Sequence, residues 1–283
     1  MNTQSTYGDL DKYFMSQYDH VLKNALIAEK VCVVDTSDVK RIQNPYGNRP
    51  TATIQAVAGT YSVTAWTITD DALTVTDEVI YSEHIFAHEE FFASLDIAEN
   101  RVDEMMYAVA FGIDKFVINN LCEDASESYT TPAGGFRTSA NVNEICGELL
   151  GKVAGYEDTY KGTFLIIENT DLVGFAIAGA TSGFSVADSV INNGFMNNWM
   201  GIDVYVVRSG TYVSATIGTT TVTNSGHRVF GVNKVATYAS PRSMQFDEKK
   251  VTGKTGREYV VFCLVGFKLW AQRASLFVDI TLA

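Results

Sequence analysis

SLDIAENRVDEMMYAVAFGIDKFVINNL, residues 94–121, is the stretch on which the reading of the fold turns. Val102, Met105, Met106, Val109, Ile113, Phe116 and Val117 recur at steps of three and four, which places them on one face of a helix and leaves the other face acidic. Ser94 or Asp96 can cap its start, and Glu99 follows Asp96 by three residues, as in a capping box. Roughly 26 residues at about 1.5 Å each predict a helix roughly 40 Å long.

Upstream, ALTVTDEVIY reads as a strand leading towards this helix. Before it, TATIQAVAGTYSVTAWTIT, residues 51–69, breaks at Gly59 between two alternating β-branched runs and reads as a β-hairpin. Ile54, Val57, Val63, Trp66 and Ile68 are nearly all the large apolar residues it has, and a two-stranded hairpin that poor in core is marginal alone. It needs another surface, including that of another chain. QNPYGNRP ahead of it is turn-rich, and residues 7–30 carry apolar positions at mostly helical spacing, as a short amphipathic helix or arm would.

Downstream, TTPAGGFR, residues 130–137, is a turn, after which the pattern becomes α/β-like. A helix is expected over 140–154, a strand over 163–168, a helix over 170–178 and a strand over 202–207. GFMNNWMG, residues 194–201, reads as a loop rich in Trp and Met in front of that last strand, and TYVSATIGTTTVTNSG, residues 211–226, as a flexible excursion. Residues 229–282 alternate well enough for several strands, and the long helix belongs with the strand before it and with these final strands. No internal repeat is visible. The fold class is α+β.

With 283 residues, 46% apolar and 19% charged, the chain can bury a sizeable core. A net charge of −12 argues against a dedicated nucleic-acid binder, which needs clustered Lys and Arg. The charge is uneven: residues 83–127 hold 11 carboxylates against Arg101 and Lys115, whereas the segment after Pro241 is mildly basic. Such asymmetry fits solvated faces, or complementary surfaces on copies of one subunit. The four cysteines, Cys32, Cys122, Cys146 and Cys263, form no C-x-x-C pair and read as buried thiols. The first residues lack the basic and apolar regions of a secretory signal, and no apolar run is long enough to span a membrane.

Motifs for chemistry fail on inspection. His84 and His88 lie four apart, but Ile85 stands where a zincin needs its Glu, and no third ligand is evident. Gly253–Lys254–Thr255 lacks the earlier glycine of a phosphate loop, since Glu248 occupies that position. Neither G-x-S-x-G nor G-x-G-x-x-G occurs around Gly174, Gly179, Gly183 and Ser185. No catalytic residue, cofactor site or metal site is assigned.

Taken in order, these segments resemble the major capsid proteins of tailed bacteriophages, with the Hong Kong ninety-seven type of fold. The likeness spans nearly the whole chain: residues 1–38 resemble the N-terminal arm, 39–76 the E-loop, 77–138 the first part of the peripheral domain with its spine helix, 139–235 the axial domain, and 236–283 the return strands of the peripheral domain. Ala110 and Asp114 match an Ala-x-x-x-Asp pattern of that family, and TTPAGGF is similar to the turn that follows it. Gly201 and Val204 match its Gly-x-Pro-Val motif, with Asp203 in place of the proline.

The resemblance implies a structural subunit rather than an enzyme, one that self-assembles through hexamers and pentamers into an icosahedral head shell around double-stranded DNA, without sequence-specific binding. It implies a virion protein assembled in the host cytoplasm. Its further partners would be a separate scaffolding protein, a portal and a decoration protein, with no cofactor and no membrane. Arg41 and Arg49 flank the E-loop and are candidates to pair with the acidic spine face of a neighbour, or are simply solvated. Trp66 is a candidate for burial between subunits. Asn197, Asn198 and Trp199 are candidates near the capsomer axis, the two Asn through hydrogen bonds; Trp199 with Phe195 and Met200 would pack the base of their loop, or be buried within their own domain. Two alternatives stay open: an encapsulin-type nanocompartment shell, and a metal-free enzyme of unfamiliar α+β fold.

Overall fold

The computed structural model describes residues 26–47, 54, 59, 63, 65, 67–85, 95–156, 161–181, 195–242, 244–249 and 255–283. The arm's first 25 residues and most of the predicted hairpin at 51–69 lie outside them. The chain opens with the short helix α1 (Ile27–Val31) and strand β1 (Val33–Asp35), then β2 (Arg41–Gln43), β3 (Tyr46–Gly47), β4 (Ile68–Thr69), β5 (Ala72–Thr74) and β6 (Asp77–Ile85). The long helix α2 (Leu95–Glu123) follows, then β7 (Glu127–Thr130), α3 (Ser139–Val153), β8 (Thr163–Glu168), α4 (Leu172–Thr181), β9 (Phe195–Trp199) and β10 (Ile202–Val207). The remaining strands are β11 (Ser214–Ile217), β12 (Thr220–Thr223), β13 (His227–Val232), β14 (Thr237–Ala239), β15 (Gln245–Lys249), β16 (Arg257–Lys268) and β17 (Phe277–Thr281).

Helix α2 runs for 29 residues, about 43 Å at the α-helical rise. Met105, Met106, Val109, Ala110, Ile113, Phe116, Val117, Ile118 and Leu121 are all buried, so the expected apolar face is the core-facing one. The cap expected at Ser94 or Asp96 and the side chain of Val102 fall outside the described residues. Asp114, counted with the acidic surface in sequence, lies on the inner face and is buried.

Two sheets sit on this helix. In the first, β16 is central: β6, β14 and β15 all pair with it antiparallel, and β1 lies beyond β14. The second runs β7-β17-β13-β8-β10-β9. Strand β8, TFLIIE, is apolar from Phe164 to Ile167 because both its faces are covered there. Phe164 and Ile166 join the cluster that contains α2, whereas Leu165 and Ile167 join the cluster that contains α3 and α4.

Gly174 lets α4 press onto the turn at 135–137, since a Cβ there would stand 1.8 Å from the carbonyl oxygen of Phe136. That is this glycine's role, and it has nothing to do with a dinucleotide fingerprint.

Two sequence readings are corrected. The stretch 194–201 is a strand-turn, not a loop: β9 pairs antiparallel with β10, and Met200 (φ 53°) and Gly201 (φ 87°) form the turn. Two successive positive φ values are what a tight hairpin demands, and Met-Gly hides that signal where Asn-Gly would show it. Residues 211–226 are no flexible excursion but the ordered hairpin β11–β12. Within 236–283, β14, β15 and β16 enter the first sheet, while β17 pairs with β13 and β7 in the second.

Candidate assembly interface

The base of the predicted E-loop is built from two short antiparallel pairs. Arg41, Ile42 and Gln43 face Thr74, Leu73 and Ala72, and Tyr46 and Gly47 face Thr69 and Ile68. A small core anchors it, in which Leu73 and Val75 are buried with Ala239 and Trp270, and Ile42 packs against them. Trp270 donates its indole N–H to Thr237 Oγ1 at 2.9 Å, so its one polar atom is satisfied in that core. Asp71 completes the anchor by accepting from the amide of Ala271 at 3.1 Å and pairing with Lys268 at 3.2 Å. Beyond this base the described apolar residues face solvent: Ile54 is 100% exposed, Val63 87% and Ile68 56%.

Arg41 is exposed on β2. Arg49 and Trp66 lie outside the described residues, and Asn197 lies in β9 with its side chain outside them. Asn198 and Trp199 are engaged within the chain. Asn198 Oδ1 accepts the amide of Gly201 at 2.8 Å, and its Nδ2 donates to Asp203 Oδ1 at 3.3 Å. Asp203, which stands in place of the motif proline, thus braces the turn. Trp199 is half-buried; it donates to Asn143 Oδ1 on α3 at 3.2 Å and meets the Phe175 ring of α4 edge-on at 5.6 Å. Met200, at the tip, is 52% exposed.

Sequence reading missed two polar networks, the first of which joins the halves of the molecule. Asn119, fully buried on α2, donates to the carbonyls of Lys115 and Thr211 at 2.7 Å each and accepts from the amide of Val213 at 3.1 Å. Asn224, across the base of the β11–β12 hairpin, donates to the Asn119 carbonyl at 2.8 Å. At the hairpin's other end, Asp77 at the start of β6 accepts from the amide of Thr219 at 2.7 Å and from its hydroxyl at 3.3 Å. The hairpin therefore ties the second sheet to the long helix and to the first sheet.

The other network surrounds Arg228, 2% exposed. Its Nε donates to Asp171 at 2.5 Å, Nη2 to Glu168 at 3.0 Å and Nη1 to the carbonyl of His227 at 2.5 Å, and its guanidinium lies 5.1 Å over the ring of Tyr212. A buried guanidinium requires such pairing. Next to it, Nδ1 of His227 meets both carboxylate oxygens of Asp279 at 2.9 Å, bridging β13 and β17. An arginine inside HRVFGV and paired Asn inside an apolar helix were the available signals for these networks.

The thiols are held in their protonated form. Burial pushes Cys32 and Cys146 up to about 12, and raises Cys122 as well. Among the described residues no group of three or more His, Cys, Asp or Glu is disposed to hold a metal ion, and no helix is long and apolar enough to cross a membrane.

No protein-family model matches the chain, and no curated protein matches it. Solved structures do. The chain is similar to the capsid of the cyanophage P-SCSP1u, with 13% identity, a TM-score of 0.65 and coverage of 92% of this chain and 89% of that one. It is similar to a structure from Mycobacterium phage Ogopogo, with 12% identity, a TM-score of 0.70 and 92% coverage of each chain. It also resembles a virus-like particle from Pyrococcus furiosus, with 8% identity, a TM-score of 0.60 and coverage of 94% of this chain and 96% of that one. The chain has the α+β capsid fold of the Hong Kong ninety-seven type over almost its whole length.

Proposed function

We propose that this chain is the major capsid protein of a tailed phage, a structural subunit that self-assembles into an icosahedral head shell. The observation that carries the reading is coverage: the likeness to the cyanophage capsid and to the Ogopogo phage structure covers 92% of this chain in each case and 89% and 92% of theirs. The exposed Ile54 and Val63 support it, because apolar side chains with no cover in their own subunit are suited to burial between subunits.

Arm (1–38), E-loop (39–76), first peripheral part with the spine helix (77–138), axial domain (139–235) and peripheral return strands (236–283) divide the chain on this reading. In it Arg41, Arg49 and Trp66 act at the E-loop contact, and the β9–β10 turn with Asn197, Asn198 and Trp199 faces the capsomer axis. Hexamers and pentamers of this chain enclose double-stranded DNA held without sequence preference, which the net charge of −12 favours. A separate scaffolding protein, a portal and a decoration protein complete the particle, assembled in the host cytoplasm, and the chain needs neither cofactor nor catalytic site for this work.

The Pyrococcus furiosus particle favours a second reading, a nanocompartment shell of the encapsulin type. Electron microscopy of the purified chain over a range of concentration and salt tests both: closed shells or rings of five and six subunits are expected. A monomer at every concentration, even with a scaffolding protein supplied, would exclude both. Shells that form in a phage-free host and retain a co-purifying enzyme would favour the second.

A further inference from the structure

The segment 27–35, where residues 1–25 join the described chain, is held by a clamp with one charged side chain at each end. On one side the buried carboxylate of Asp114, in the middle of α2, accepts the amide of Ala28 at 2.8 Å and that of Ile27 at 3.2 Å. On the other, the Lys234 ammonium donates to the carbonyls of Glu29 at 2.5 Å and Cys32 at 2.7 Å, and the Lys234 amide donates to the Val31 carbonyl at 2.7 Å. Lys234 adopts φ 56°, a left-handed conformation that lets one residue present both its amide and its side chain to α1. Strand β1 then continues the attachment by pairing in parallel with β14.

We propose that this clamp is a proton-sensitive latch: the segment 27–35 is docked most firmly when Asp114 is protonated and loosens as the carboxylate ionises in place. The latch belongs to the single chain and goes beyond the shell reading without depending on it.

The physical basis is an imbalance at Asp114. The carboxyl is 7% exposed and accepts two backbone amides, so burial opposes its ionisation in the docked structure while the amides favour it. The charged and titratable groups that face it are Glu29 and Lys30 of α1, which oppose one another, and the Cys32 thiol, itself faced by Lys234. Burial outweighs the amides and raises Asp114 to about 7 from an ordinary 3.8.

A carboxyl whose docked value lies above its hydrated value binds its proton more tightly when docked. The stabilisation of docking is therefore complete below about 3.8, declines as pH rises and is lost above about 7.

Hydrogen exchange with mass spectrometry on the full, unassembled chain tests this, with each amide corrected for the intrinsic pH dependence of exchange. Between about pH 5 and about pH 8, protection of peptides covering 27–35 is expected to fall by about tenfold or more, while peptides from β8 stay unchanged. Asp114→Asn should leave the same peptides with protection that no longer varies with pH. Lys234→Met should lower their protection at every pH and keep the slope. Flat protection in the unmodified chain, which needs no variant to fold, overturns the proposal. So does a slope that survives Asp114→Asn or disappears in Lys234→Met.

Discussion

The hairpin at 211–226 and the segment 51–69 are close in composition, each with six Thr and two Val and both short of large apolar side chains. Their surroundings differ. In the first, Val222 is buried, Asp77 receives the turn and Asn119 and Asn224 bind the base to α2. In the second, the attached end rests on the cluster of Leu73, Val75 and Trp270, while Ile54 and Val63 stand open to solvent. Composition alone thus does not decide a segment's partner. The partner is decided by polar residues 90 or more positions away in sequence, which offer or withhold hydrogen bonds to its backbone.

The sharpest way to break this comparison is Asn119→Ala. It removes an amide that serves four groups and leaves the amide of Val213 and the carbonyl of Thr211 buried without that partner. Such a loss is expected to cost about 3 kcal/mol of subunit stability, read as a lower denaturant midpoint with an unchanged slope. A cost near zero would mean that the hairpin is not fastened through α2.

Gly218→Ala should come next. Gly218 sits at φ 58°, and a Cβ there would lie 2.2 Å from Asp77 Oδ1, so the turn must withdraw from its receptor. About 2 kcal/mol is expected, together with faster exchange in 214–223 and none in β8. Asp77→Ala, which leaves the Thr219 amide without its acceptor, should cost about 1–2 kcal/mol and speed exchange at the same peptides. If these two variants affected different regions, Asp77 and Gly218 would not form one contact.

These variants also show what could be read in the sequence. The long helix and the strands at 163–168 and 202–207 were legible because burial writes a period of 3.6 or an unbroken apolar run into the residues. The order of segments carried the capsid resemblance. The β9 strand was not legible, since Asn197 and Asn198 interrupt its apolar pattern and its turn uses Met200. Nor was the attachment of 211–226, because an Asn in a helix looks alike whether it meets water or the amide of Val213. The last strand, β17, alternates like those before it, and local pattern does not say which of two sheets it joins. Of the candidate contact residues, Asn198 and Trp199 turn out to bind their own turn and helix.

The smallest expected effect on the subunit is the most informative for function. Ile54→Ser and Val63→Ser alter side chains that bury nothing within the described chain, so each should shift the stability of the unassembled subunit by less than about 0.5 kcal/mol. Assembly should respond differently. An apolar side chain of this size gains about 1.5–3 kcal/mol when fully buried, and a difference of about 1.4 kcal/mol is tenfold in an equilibrium. Each variant is then expected to raise the concentration at which shells appear by about tenfold or more, measured by light scattering and microscopy on samples matched for stability. If assembly were unchanged, Ile54 and Val63 would have no partner in a neighbouring copy, and the contrast with 211–226 would be one of exposure alone. If subunit stability fell instead, Ile54 and Val63 would be serving their own fold, and the two hairpins would differ only in where their core lies.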